Sequence, residues 1–343
     1  MRKMLNTLYV TSPDRYLSLK DQNILVSDEN GPAGMIPLIG LEGIVSFSYR
    51  GASPALMGEC AKRNISLCFL TPNGRFLARS VGAENGNVLL RRTQYRMADD
   101  LKSSCIIARN MVAGKIYNQR QVLERCLRDH SLRVDSNRLQ VVSQGLKEVL
   151  PTLEHNESLD SLRGLEGEAA ARYYHVFDEM ILSQKADFMF TGRNRRPPLD
   201  NVNALLSFAY ALLANDCAAA LESVGLDSYV GFLHRDRPGR ASLALDLQEE
   251  LRAPMADRLV LTLINNRMIR DKDFDRQEDG AVLLSVQGRK SFLEAWQTKK
   301  REEITHPFLK EKMPWGLVPY AQSLLLSRML RGDLKAYPPF FWK

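Results

Sequence analysis

Four acidic or imidazole side chains have the types and spacing to hold a divalent cation. Glu166 lies in GLEGEAAARYY, residues 164–174. His234, Asp246 and Glu249 lie in YVGFLHRDRPGRASLALDLQEELRAP, residues 229–254. His234 ends a short apolar run, a charged turn with Pro238 and Gly239 follows, and Ser242 opens an amphipathic helix. Leu243, Leu247 and Leu251 recur at helical spacing, so one side of that helix is packed. Asp246, Glu249 and Glu250 then crowd one edge of it. Like charges three or four residues apart cost about 0.2–0.5 kcal/mol per pair unless a cation or a neighbour such as Arg252 relieves them. One imidazole and two carboxylates, from His234, Glu166 and Glu249, suit Mn²⁺ or Mg²⁺. Such a site polarises a phosphate and activates water or a hydroxyl. At this level a solvated acidic face beside an unrelated histidine explains the same residues, and Glu166 reads equally as an exposed residue at the edge of an apolar stripe.

The elements that must position these groups fall into two parts. Residues 5–48 read as short strands, Leu5–Thr11, Arg15–Lys20, Asn23–Ser27 and Ile44–Ser48, with turns at Pro13-Asp14 and Asp21-Gln22 and interruptions at Gly31-Pro32 and Gly34. Pro54–Arg63 has helical spacing, and Ile65–Leu70 and Phe76–Ser80 return to strand. A small β-sandwich or roll over residues 1–84 is expected, followed across a Gly- and Asn-rich linker at 83–87 by a larger all-helical domain over 85–343, an α+β chain overall. In the second part Leu162, Leu165, Ala169, Tyr173 and Phe177 make one stripe, with Gly164 and Gly167 beside Glu166 implying close approach of another element and His175 expected to pack. Phe188–Asp200 is a loop whose Arg193, Arg195 and Arg196 form the densest basic cluster, suited to planar phosphate contact or to plain solvation. Asn201–Leu221 is a strongly apolar helix with Asn203 at its start, and Met255–Ile269, Lys290–Thr305 and Pro319–Leu330 continue the helical pattern around a small hairpin near Asp273–Ser285. The aromatic, Pro-broken AYPPFFWK is expected to pack on a neighbour or stay loose.

Composition sets outer limits. The 343 residues carry a formal charge of +7 spread along the chain, which permits a polyanionic partner without demanding one. Five cysteines with no CxxC read as reduced thiols of a cytoplasmic protein. There is no Walker motif, GxGxxG or GxSxG, which argues against nucleotide-cofactor and serine-hydrolase chemistry.

GLEGEAAARYY, NALLSFAYALL and GLDSYVGFLHRDRPGRASLALDLQEELRAP, in that order and spacing, resemble the CRISPR-associated endonuclease/integrase ("Cas-one") family, and the extended C-terminal part resembles members from type I systems of the I-C subtype. The resemblance covers the whole chain. It places the family's metal-binding Glu, His and acid on Glu166, His234 and Glu249, with Glu249 standing where many relatives have Asp. Asp246 matches a second acid one turn earlier, which binds metal or only shapes the site. The implied function is spacer acquisition: 3′-OH ends of captured double-stranded DNA are joined to a CRISPR repeat by transesterification. The implied partners are a second copy, paired through the β-domains, and a small adaptation protein. Arg193, Arg195, Arg196, Arg235, Arg237 and Arg240 are the candidates for the DNA backbone, with Arg235 and Arg237 equally able to pair with local acids. A structure-selective DNA nuclease, or a DNA-binding scaffold with a structural metal, stays open beside the integrase.

Overall fold

The computed structural model describes residues 6–72, 74–82, 88–154, 156, 158–194 and 197–343. The expected linker at 83–87, with the 84/85 boundary, lies outside the described residues, as do Arg195 and Arg196. The N-terminal part runs β1 (Asn6–Val10), β2 (Tyr16–Lys20), β3 (Asn23–Asp28), β4 (Gly31–Pro37), β5 (Leu41–Ser46), α1 (Pro54–Lys62), β6 (Ser66–Leu70) and β7 (Phe76–Ser80). β2, β3 and β4 form an antiparallel sheet; β1, β5, β6 and β7 form a second one in that order, parallel except for its last pair. The β2–β3 turn is Asp21-Gln22, both at positive φ, the turn whose twist matches a two-residue hairpin. Gly31-Pro32 and Gly34 do not interrupt the chain as expected but lie inside β4. β4 is an edge strand with a register shift opposite Val26/Ser27, so a proline without an N–H is tolerated there.

Successive residues of the four-stranded sheet face opposite ways. Ile44 and Leu67 join Leu17, Ile24 and Leu56 in the core of the N-terminal part. Val45, Phe47, Cys68 and Leu70 instead belong to the large helical core, where the Phe47 ring stacks 6.0 Å from Phe208. The sheet therefore serves as the floor on which the helices are built.

Those helices are α2 (Val88–Asp99), α3 (Leu101–His130), α4 (Ser136–Glu154), α5 (Leu159–His175), α6 (Asn201–Ser223), α7 (Ser242–Leu251), α8 (Arg258–Asn265), α9 (Val286–Arg301) and α10 (Val318–Leu330). The second part is not all-helical: β8 (Phe274–Arg276) pairs with β9 (Val282–Leu284), and β10 (Glu303–Thr305) with β11 (Lys312–Pro314). Gly280 at φ 81° turns the first hairpin, and the helix expected through Thr305 stops at Arg301 because its last residues become β10. α6 outruns its apolar stretch by composition and is long and apolar enough to cross a membrane, yet it is the buried centre of this core. Its Asp216 is neutralised by Lys300 at 2.9 Å.

Pro254 removes an N–H between α7 and α8, and the chain passes from one to the other through a wide π-type turn over Arg252–Asp257. The C-terminal segment does not stay loose but packs on the helices of its own chain. Tyr337, Phe340 and Trp342 are buried, and Asn118 of α3 donates to the Phe340 carbonyl at 2.7 Å and accepts from the Trp342 amide at 2.8 Å. His175 does not pack inward: it is exposed at the end of α5, beside the Arg138 guanidinium.

Candidate metal centre

The site forms where α7, the loop before it, α5 and α3 meet. Asp246 of α7 is fully buried and spends both carboxylate oxygens on that loop. Oδ2 accepts the Phe232 amide at 2.6 Å and the Leu233 amide at 2.9 Å; Oδ1 accepts the His234 amide at 3.0 Å and faces His234 Nδ1 at 2.5 Å. The approach is so close that a Cβ on Gly231 would stand 2.8 Å from Asp246 Oδ2 and 2.9 Å from the Ser242 backbone, so only glycine fits. The consequence is chemical. With Nδ1 donating its proton to Asp246, the His234 tautomer carries its lone pair on Nε2, the arrangement in which a carboxylate orients an imidazole for a metal. Arg163 of α5 completes the loop's support, donating from Nε to the Leu233 carbonyl at 2.7 Å.

His234 Nε2 points toward Glu249, whose Oε1 is 3.9 Å away. Glu249 is buried between two cations. Arg252 Nη1 lies 2.8 Å from Oε1, and Lys115 Nζ lies 2.7 Å from Oε2 as an ion pair off the ideal hydrogen-bond direction, so that Oε2 has no well-directed donor. Burial alone would raise this carboxyl, but Arg252, then Lys115 and His234, outweigh it and hold the group below the usual carboxylate range. Lys115 also hydrogen-bonds Glu166 Oε1, so one ammonium bridges the carboxylates of α5 and α7. The same two acids raise Lys115 above the ordinary lysine value against the pull of burial, and it stays charged. Arg252 is anchored separately, its guanidinium 4.9 Å over the Tyr210 ring. The relief that the crowded acids of α7 require therefore comes from Arg252 and Lys115.

Glu166, His234 and Glu249 are thus brought to one place, but not yet into mutual ligand distance. Among the described residues no group of three His, Cys, Asp or Glu side chains converges as a ready metal cage. The reason is visible: a cation already separates Glu166 from Glu249. A buried carboxylate oxygen without a directed donor, an imidazole with a fixed free nitrogen, and a second carboxylate open to solvent on one side form a donor set that fits Mn²⁺ or Mg²⁺. Gly164 and Gly167 meet no neighbouring element, so the close packing expected beside Glu166 is absent and that face of α5 is open.

The basic residues divide. Arg193 turns inward, onto Asn203 and 5.3 Å over the Tyr210 ring, because Asn203 organises the loop before α6 through Gly192, Asn194 and Asp200. Asp200, not Asn203, is the cap of α6. Arg235 is exposed and pairs with Asp160 at 2.7 Å, an acid of α5 rather than of its own loop. Arg237 is exposed and Arg240 half-buried on the same rim. Lys115 and Arg163 were not among the sequence candidates. Lys115 has one faint sequence signal, a charge in the otherwise apolar stripe of Met111, Val112 and Ile116.

Residues 8–298 match the family described as CRISPR associated protein Cas1. The chain is 48% identical over 343 residues to the CRISPR-associated endonuclease Cas1 1 of Chlorobaculum tepidum, with 100% of both chains covered. Its fold is similar to that of a casposase bound to integration product, with a TM-score of 0.85 at 23% identity over 99% of this chain and 95% of that one. It is also similar to a chain of a Cas6-RT-Cas1–Cas2 complex, with a TM-score of 0.82 at 24% identity over 100% of this chain and 36% of that one. On the extent of the family match and the full-length identity, this chain belongs to the Cas1 family of CRISPR-associated endonucleases.

Proposed function

We propose that this chain is a metal-dependent DNA endonuclease and integrase of CRISPR adaptation, joining 3′-OH ends of captured duplex DNA into a CRISPR array. The observation that carries this reading is the single ammonium of Lys115 between Glu166 and Glu249, next to an imidazole whose free nitrogen is aimed by Asp246. That is a cation position built from two carboxylates and one oriented histidine. Glu166, His234 and Glu249 would hold Mn²⁺ or Mg²⁺, which would supply Lewis-acid polarisation of a phosphodiester. Asp246 orients the His234 ring through Nδ1 and holds its loop in place. Arg252 and Arg163 fix Glu249 and the histidine loop in place, two of the parts such a site needs. In the joining step the 3′-hydroxyl oxygen forms the new P–O bond, the opposite P–O bond breaks, and the leaving oxygen takes a proton. The chain itself need provide no covalent nucleophile.

Double-stranded DNA follows the exposed rim of Arg235, Arg237 and Arg240, with Arg195 and Arg196 on the preceding basic loop; Arg193 serves that loop from inside. Residues 1–84 act as the dimerisation module. β7 is a sheet edge, and Phe76 and Leu77 on it, with Val81 beyond, are exposed apolar residues that suit pairing with a second copy. A small adaptation protein completes the assembly. Five buried cysteines, all thiols rather than disulfides, fit a cytoplasmic site of action. The extended C-terminal part resembles members from type I systems, and we read the chain as one of the I-C subtype.

The test is strand joining with a labelled 3′-OH duplex, a plasmid carrying leader and repeat, the partner protein and Mn²⁺ or Mg²⁺. Wild type is expected to join label to plasmid, with EDTA and Glu249→Gln each abolishing it and DNA binding retained. Nicking without joining supports the nuclease alternative. Loss of DNA binding and thermal stability together in Glu249→Gln makes the metal structural and overturns the reading.

A further inference from the structure

We propose that Lys115 is a built-in counter-cation: its ammonium group neutralises Glu166 and Glu249 in the metal-free protein and must be expelled before a divalent ion can bridge them. The inference rests on the metal reading above and adds a competitor to it. The Lys115 side chain is 5% exposed, and its Nζ touches both carboxylates that a metal would need. Two positive groups serve these two acids, but they are held differently. Arg252 is locked by Tyr210 on its face and by Gln248 at 3.4 Å, besides its bond to Glu249. Lys115 is a flexible four-carbon stem whose ammonium, among the described residues, is held by the two carboxylates. The helix that carries it is tightly packed beside the site. A Cβ on Gly114 would already stand 2.9 Å from Glu250 Cγ, so α3 and α7 are in close contact beside the site. The flexible lysine side chain is the group free to leave, and Glu166, about a quarter exposed, marks the side toward solvent.

Charge arithmetic makes the exchange necessary. Glu166 and Glu249 already balance Lys115 and Arg252, so a divalent ion entering beside both cations would find no net negative charge to hold it. Expelling Lys115 restores a net negative charge and exposes the two oxygens it covers. The cost is weaker metal binding, and the gain is a metal-free protein in which the buried Glu249 and its neighbour Glu166 are charge-balanced.

The experiment is calorimetric titration of Mn²⁺ into full-length metal-free protein, with melting temperatures taken with and without Mn²⁺. Wild type is expected to bind and His234→Ala not to. Lys115→Met is expected to melt lower without metal, to bind Mn²⁺ about tenfold more tightly or better, and to gain more in melting temperature on saturation. Lys115→Arg keeps a cation and is expected to bind no more tightly than wild type. A residue that merely orders the site would weaken binding in both variants, and that result overturns the proposal while leaving the metal reading intact. Absence of Mn²⁺ binding by wild type overturns both. Should Lys115→Met fail to fold, acetylation of wild-type lysines read by mass spectrometry gives the same answer: Lys115 is expected to become more reactive on Mn²⁺ addition, and unchanged reactivity contradicts its expulsion.

Discussion

His234→Ala is expected to lower metal-dependent cleavage and strand joining by about a thousandfold or more, with the fold's stability changed by no more than about 1 kcal/mol. The imidazole projects from a loop and is a fifth exposed, so little packing is lost. What disappears is the one nitrogen donor facing Glu249. Asp246→Asn makes the informative contrast. Its isosteric amide turns an NH₂ toward amides that now donate to a carboxylate oxygen, and it cannot enforce the Nδ1–H tautomer. Loss of such an orienting carboxylate costs about 10–100-fold in metal affinity. Buried amides left short of an acceptor cost about 1–3 kcal/mol each. A metal titration of activity separates the two roles: excess Mn²⁺ is expected to recover much of the Asp246→Asn loss and none of the His234→Ala loss. Equal, unrecoverable losses would make Asp246 a ligand rather than a support.

Stability is expected to fall as pH rises from about 5 to 9, and Glu250 is the principal cause. It is fully buried next to Glu249 in sequence but faces the other way, accepting from Tyr337 Oη, the Phe340 amide and Gln322 Nε2. Burial pushes its carboxyl up to about 8 from 4.5, against the pull of those three donors. A value raised in the folded state means stabilisation is fully present below the unfolded value and is lost as pH climbs through the folded one. The loss between pH 5 and 9 is on the order of 3–5 kcal/mol. Asp257, raised to about 6 by burial, adds in the same direction at the acid end of that window. Melting temperatures measured across the range are expected to drop for wild type and to be markedly flatter for Glu250→Gln. Parallel curves would show that Glu250 ionises in the folded state as it does in the unfolded one. Because Glu250 clamps the C-terminal segment, the same alkaline loss is expected to loosen Tyr337 and Phe340 first.

How much of this is readable in the sequence depends on whether the information is local. The β2–β3 hairpin and the turn at Asp21-Gln22 are legible because a two-residue turn is decided by its own residues. The strand β4 is not, because Pro32 is tolerated only once the sheet order makes that strand an edge. The grouping of His234, Asp246 and Glu249 is legible because they sit on one loop–helix unit, whereas the apolar stripe leaves Glu166 equally an exposed edge residue and only the family resemblance joins it to them. The role of Asp246 is not legible: spacing puts it beside Glu249, but only the folded loop shows that both its oxygens serve residues 232–234. Lys115, 51 residues before Glu166 on another helix, could have been suspected as a charge in a buried stripe, but its partners come from tertiary packing alone. The same holds for the C-terminal aromatics, whose polar clamps, Asn118 and Glu250, lie more than eighty residues away.

The most direct measurement is anomalous diffraction at the manganese edge from crystals grown or soaked with Mn²⁺. The expected result is one strong peak within about 2.0–2.4 Å of His234 Nε2 and of oxygens from Glu166 and Glu249, with the Lys115 ammonium withdrawn. No peak at this position, or a peak bound to Asp246 with Lys115 still between the two glutamates, would contradict the account.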